Sequence, residues 1–269
     1  MERRNHDRSP APARGASASP PRSALVTGAS RGLGLALVRA LLARGDHARI
    51  FAAARSAERS ADLDALAAAH RGTLRPVALD VRDESSVAAA AAVVRQEAPR
   101  LHLVIQCASL LHEGDALRPE KKLADVDPAM LRTAFEVNAI GPLLVAKHLA
   151  PLLRHDERAV LAQVSARVGS IGDNRLGGWY AYRASKAAQN MLTRTLAIEL
   201  ARSARNVVCV ALHPGTVDTD LSRPFQRGVP AAQLQAADAA AARLLAVIDS
   251  LGPEDHGSFL DQRRRPVPW

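Results

Sequence analysis

The chain has 269 residues, 48% of them hydrophobic and 23% charged, with a formal net charge of +9. That length suits one large α/β domain with a substantial core, and no linker divides its interior. Part of the basic excess is terminal, in Arg3, Arg4, Arg8, Arg14 and Arg22 and in Arg263 to Arg265; with 3% aromatic residues and no basic helix stripe, it argues against nucleic acid and for an anionic cofactor.

Residues 1–22 are rich in Arg, Ala, Pro and Ser and lack an apolar run, so they read as a disordered extension. A transit peptide is the weaker reading, because Glu2, Asp7 and several prolines interrupt a basic amphipathic helix. From Ala24 onward, short apolar runs alternate with longer helical patterns, the signature of βαβ units. Strands are expected at 24–27, 48–54, 74–79, 101–108, 159–164, 206–212 and 258–260. Helices are expected at 32–43, 63–70, 85–98, 128–153, 181–202 and 232–251, several of them favoured by alanine alone. The fold expected is therefore a single-domain, doubly wound Rossmann fold with a seven-stranded parallel sheet flanked by helices.

Two segments break the rhythm, 110–127 with Pro119 and 221–230 with Pro224, Gly228 and Pro230. Both follow strand ends where open α/β sheets bind ligands, so they are expected to cover a substrate. No interior stretch has the uncharged apolar length of a membrane span, and no membrane partner is expected. Cys107 and Cys209 lie in apolar runs, which gives no support to a disulfide framework or a metal site and fits a reducing cytoplasm. His112, His148 and His213 lack ligand spacing.

The first strand runs directly into Thr27-Gly28-Ala29-Ser30-Arg31-Gly32-Leu33-Gly34 and then a helix. Backbone amides there can receive a pyrophosphate at the helix N-terminus, although the spacing G-x-x-x-G-x-G differs from G-x-G-x-x-G. About twenty residues on, an NAD site places an acid at the end of the second strand. Here Arg55 stands in Ala53-Ala54-Arg55-Ser56, and with Arg31 it favours a 2′-phosphate, hence NADP(H). Tyr182 and Lys186 lie four residues apart on one helix face, where the ammonium can favour the ionised phenol near neutrality. Tyr180 has Ala184 four residues on and lacks that partner.

With these motifs the chain, from about Ser23 to Trp269, resembles the short-chain dehydrogenase/reductase family. The resemblance implies that Asp80 and Val81 hold the adenine, that Asn138 kinks its helix and holds a relay water, and that Pro214, Gly215, Val217 and Thr219 close over the nicotinamide. It also implies that Lys186 binds the nicotinamide ribose and that Tyr182 moves the proton. The stretches 107–112, 165–171 and 177–180, and the ending 266–269, are similar to the C-factor and sniffer-like carbonyl reductase subgroup. Two readings follow: an NADP-dependent oxidoreductase acting on a small-molecule carbonyl or alcohol, or an NADP-binding regulatory protein with little turnover. The resemblance further implies a homodimer or homotetramer built on the 128–153 and 181–202 helices.

Two departures from the family pattern stand out. Where it commonly reads Asn-Asn-Ala-Gly, this chain reads Gln106-Cys107-Ala108-Ser109. Ser109 replaces the glycine that lets the backbone pass close to the cofactor, and it either crowds the ribose or offers it a hydroxyl. Ser165, seventeen residues before Tyr182, is the best candidate to polarise a substrate carbonyl. Yet alignment through Val168-Gly169 brings Ala166 to the normally catalytic position, and Ser170 is a further candidate.

Overall fold

The computed structural model describes residues 22–55, 57, 60–114 and 117–269. The expected extension 1–22 lies outside the described residues except for Arg22. The apolar runs form strands because both of their faces are covered. In β1 (Ser23–Thr27), Ala24 and Val26 join one core cluster while Leu25 joins the other. The same division recurs in β4 (Leu103–Gln106), β5 (Ala159–Val164) and β6 (Val207–His213), so period-two alternation is hidden in continuous apolar sequence.

Between them lie α1 (Gly32–Arg44), β2 (Arg49–Ala54), α2 (Ala61–Ala69), β3 (Leu74–Ala78) and α3 (Glu84–Glu97). The second half adds α4 (Pro128–Phe135), α5 (Gly141–Leu153) and α6 (Tyr180–Ser203), then β7 (Thr216–Asp218), β8 (Leu234–Ala236), α7 (Ala237–Ser250) and β9 (Phe259–Asp261). Among the described residues, seven strands form one sheet in the order β3-β2-β1-β4-β5-β6-β9, and all of its strand pairings are parallel. The strand order reverses between β1 and β4, which opens the crevice used by doubly wound sheets. Side-chain caps start several helices, among them Asp83 on Ser85 N at 2.9 Å and Asp127 on Ala129 N at 2.7 Å with Pro128 at the first position.

Three expectations need correction. The strand expected at 101–108 spans only Leu103–Gln106, because Leu101 N turns to Leu152 O and the Cys107 and Ala108 amides leave the ladder for Thr27 Oγ1, at 3.1 and 3.2 Å. The helix expected at 128–153 is divided by a π-helical turn at Glu136–Ile140. The helix expected from residue 232 starts at Ala237, since Leu234–Ala236 pairs with Thr216–Asp218 as a small parallel sheet beside the ligand-binding end. By length and composition, Pro128–Leu153 does reach the apolar character of a membrane span. Its Val145, Ala146, Leu149 and Leu153 are nevertheless packed into the core cluster on the α3 side of the sheet.

Leu161, fully buried on β5 between β4 and β6, tests the packing of the sheet's centre. Leu161→Ala is expected to lower unfolding free energy by roughly 2–5 kcal/mol, measured by denaturant titration.

Candidate active site

The carboxyl ends of the central strands border a cleft of about 940 Å³. Its floor depends on glycine. Gly28 has φ +68°, and a Cβ there would stand 2.8 Å from both Ala108 N and Ala108 Cα. A Cβ on Gly34 would run into the Gly28 carbonyl oxygen. β1, the turn and the β4 exit therefore pack backbone against backbone. The first turn of α1 carries no acidic residue, and its N-cap Arg31 makes no side-chain cap bond, so these amides are left facing the cleft that Ser30, Gly32 and Leu33 also border. This cradle fits a pyrophosphate.

At one end of the cleft stand Arg55, Asp80 and Val81. The Arg82 guanidinium grips Asp80 through both carboxylate oxygens, at 2.7 and 3.1 Å, and holds its carboxyl below the usual range. Arg31 is largely exposed and its contact with Asp220 is long, 4.0 Å, while Asp220 pairs more closely with Arg223 at 2.8 Å. Arg31 and Arg55 both border the cleft and bring positive charge to it. Pro214, Gly215, Val217 and Thr219 form its outer edge, and Thr219 Cγ2 lies against Gly32.

At the other end are Cys107, Ala108, Ser109, Tyr182 and Lys186. Tyr182 and Lys186 share the inward face of α6, but the ammonium does not reach the phenol hydroxyl. Lys186 Nζ donates to Gln189 Oε1 at 2.9 Å and to Val164 O at 3.1 Å, and lies 5.9 Å from the Tyr182 ring centre. Burial pushes the phenol up to about 12 and the ammonium down to about 8. The expected lowering of the phenol is thereby overturned: desolvation dominates where the ammonium is engaged elsewhere.

Asn138 does not border the cleft; it is fully buried in the π-helical turn. Its Oδ1 accepts from Leu110 N at 2.8 Å and from Ser109 Oγ at 3.1 Å. Its Nδ2 donates to Leu110 O at 2.8 Å and to Ser185 Oγ at 3.0 Å. Ser165 borders the cleft, yet its buried hydroxyl donates to Asn190 Oδ1 at 2.6 Å. Ser170 is also buried and engages Trp269 O and Asp173 N. Ala166 borders the cleft with a methyl group only. Gln106, the in-register neighbour of Gln163, keeps Nε2 without a hydrogen-bond partner among the described residues.

The rim is aromatic: Trp179 stacks edge-on against Phe225 at 4.9 Å and meets Tyr182 at 6.3 Å, while His112 meets Phe225 at 5.7 Å. Trp179 has φ +51°, in the left-handed region, and caps α6 without a side-chain bond. Glu120 takes over that task from 61 residues away. Both of its carboxyl oxygens lie 3.2 Å from Ala181 N, and its carbonyl accepts from Trp179 N at 2.6 Å. Sequence reasoning overlooked Glu120, Gln189 and Asn190. Ser185, Lys186, Gln189, Asn190 and Thr193 form a polar stripe at helical spacing on a buried face, a signal that could have revealed the latter two; nothing local marks Glu120.

At the amino end of the sheet, His102, His155 and Glu157 come within 4.8 Å of one another. Their ring nitrogens are committed: His102 Nδ1 accepts from Ser23 N, which leaves its Nε2 proton for Glu157, and His155 bonds Glu157 N and Leu101 O. This is a hydrogen-bonded joint rather than a ligand set.

An anion-receiving turn and a buried phenol sharing one cleft define a dinucleotide-dependent oxidoreductase. The chain belongs to the short chain dehydrogenase family, whose model matches residues 22–229. It is 43% identical to the C-signal of Myxococcus xanthus over 147 residues, 55% of this chain and 83% of that one. It is similar to the NADPH-bound carbonyl reductase from chicken fatty liver, with a TM-score of 0.82, 31% identity and 93% and 94% of the two chains covered. It is also similar to the carbonyl reductase Sniffer of Drosophila melanogaster, with a TM-score of 0.82, 27% identity and 93% and 100% covered.

His213, bordering the cleft at the end of β6, is pushed by burial down to about 4. Above pH 6.5 it is neutral folded or unfolded; between about 6.5 and 4 only the unfolded chain takes the proton, so stability falls as pH falls through that window. The contribution lost is about 3 kcal/mol. Denaturant titrations at pH 7 and pH 4 are expected to show a smaller loss in His213→Asn than in the parent.

Proposed function

We propose that the protein is an NADP(H)-dependent oxidoreductase that interconverts a small-molecule carbonyl and its alcohol. The observation that carries this reading is the Tyr182 phenol, buried in the same cleft as the glycine cradle. Bound nicotinamide supplies or accepts the hydride. The amides of the turn at Gly28, Ser30, Arg31, Gly32, Leu33 and Gly34 hold the pyrophosphate, and Arg31 and Arg55 take the 2′-phosphate. Asp80 and Val81 flank the adenine, and Lys186 holds the ribose. Cys107, Ala108, Ser109, Pro214, Gly215, Val217 and Thr219 enclose the nicotinamide end. Tyr182 delivers a proton to the carbonyl oxygen in reduction and takes it back in oxidation. Asn138 acts from behind, by fixing the β4 exit against α6.

The NADPH-bound chicken relative supports the choice of nucleotide and of substrate class. We assign the described residues from Ser23 onward to one functional domain. Exposed Ile140, Leu143, Met191 and Ile198 on the α5 and α6 side support pairing of protomers into a homodimer or homotetramer there. Two free cysteines suit a cytoplasmic setting.

The test is NADPH oxidation at saturating nucleotide against aldehydes, ketones and quinones. Tyr182→Phe is expected to lower turnover by about 100-fold or more with NADPH affinity nearly unchanged; retained turnover overturns the assignment. Tight NADPH binding without turnover on any panel member supports instead a nucleotide-binding regulatory role, in line with the likeness to C-signal. In parallel, Arg55→Ala is expected to weaken NADPH binding about tenfold and to leave NADH binding unaltered, read by fluorescence titration.

A further inference from the structure

Lys186 is 1% exposed, yet it borders the cleft. Its ammonium has three donors and no acceptor. Two donors are spent inside the protein, on Gln189 Oε1 at 2.9 Å and on Val164 O at 3.1 Å, which leaves one for the cleft. Because an ammonium can only donate, it also fixes which end of the Gln189 amide faces it. The amide nitrogen is thereby turned toward the sheet, where it donates to Gln163 Oε1 at 3.4 Å. Gln163 and Gln189 are both buried, and Thr193 Oγ1, one turn further along α6, donates to the Gln189 backbone carbonyl at 2.8 Å. The Gln189 side chain is therefore oriented at both ends, by β5 and by the ammonium.

We propose that Gln189 is a positioning residue for Lys186, holding the ammonium in its charged form and limiting it to one hydrogen bond toward a bound nucleotide. This rests on the reading above, in which Lys186 holds the ribose. Burial favours the neutral amine and pushes Lys186 down to about 8, and an acceptor on the charged form opposes that. Among the described residues, the ionisable groups around Lys186 are Tyr182 on its own helix, Cys107 at the β4 exit and His213 at the end of β6, bordering the same cleft. The 167–169 turn packed on the Lys186 backbone adds Arg167, paired with Asp173 at 2.6 Å. Tyr182 and Cys107 are pushed up to about 12 and His213 down to about 4, so near pH 8 the charge that changes is that of Lys186. With no carboxylate in that set, the neutral oxygens of Gln189 and Val164 are what stabilise the ammonium.

The test is NADPH affinity, read by fluorescence titration between about pH 6.5 and about 10, above the second ionisation of the 2′-phosphate at about 6. In the parent, affinity is expected to fall about tenfold as the ammonium is lost above about pH 8. Gln189→Leu removes the acceptor and is expected to move that fall down by about one pH unit. Gln189→Glu sets a carboxylate on the ammonium and is expected to move it up by about one unit or more. Lys186→Arg, charged throughout, is expected to abolish the fall. A fall that stays in place in both Gln189 variants overturns the proposal. Affinity lowered equally at every pH in both also overturns it, because Gln189 then only packs. If Gln189→Leu does not fold, Gln189→Glu, which keeps the side-chain shape, decides alone. The titration needs no turnover, so failure of the oxidoreductase reading on the substrate panel is seen separately.

Discussion

Asn138 spends its whole amide on the joint between the exit of β4 and the helix that carries Tyr182 and Lys186. Both Leu110 backbone groups and the Ser185 hydroxyl end on it, and Ser185 in turn donates to Tyr182 O at 2.9 Å. A buried amide with fewer partners would cost about 1–3 kcal/mol for each group left bare, so the three segments are held in register by the need for satisfaction. The π-helical turn is what delivers this side chain: one residue too many for an α-helical turn rotates Asn138 into the joint between α4 and α5. Ser109, Leu110 and α6 keep their mutual distances because of it.

The parallel sheet does the complementary work. Reversal of strand order at β1 leaves a crevice between the exits of β1 and β4, and the crevice can be narrow only because Gly28 lets two backbones touch. The first turn of α1 then faces the cleft with amides that no side chain caps. Charge is arranged along the same axis, with arginines at the β2 end and buried, shifted groups at the β5 end.

Much of this was legible in the sequence because strands covered on both faces read as plain apolar runs and alanine-rich segments read as helix. The seven strands and the glycine turn followed from such local signals. The short pair β7 and β8 was not legible: three residues, Leu234–Ala236, carry no period and borrow their conformation from a partner in the 216–218 segment. Side-chain direction was equally hidden. Ser165 sits where a catalytic hydroxyl was expected, but its neighbour Asn190 is 25 residues away in sequence, and only the folded packing of α6 on β5 reveals where that hydroxyl goes. The four-residue spacing of Tyr182 and Lys186 fixed their common face and said nothing of Gln189, which claims the ammonium.

Glu120 gives the rim an asymmetry. Glu120 is bolted to the start of α6 through two backbone amides, Trp179 N and Ala181 N, while Phe225 in the opposite 221–230 segment meets Trp179 through ring packing. Sequence change is therefore unequally free on the two walls. The Phe225 wall reaches Tyr182 through the Trp179 ring, whereas a change that moves Glu120 acts directly on the start of the helix that carries Tyr182. Diversification of such a site through evolution is channelled to one side of its mouth.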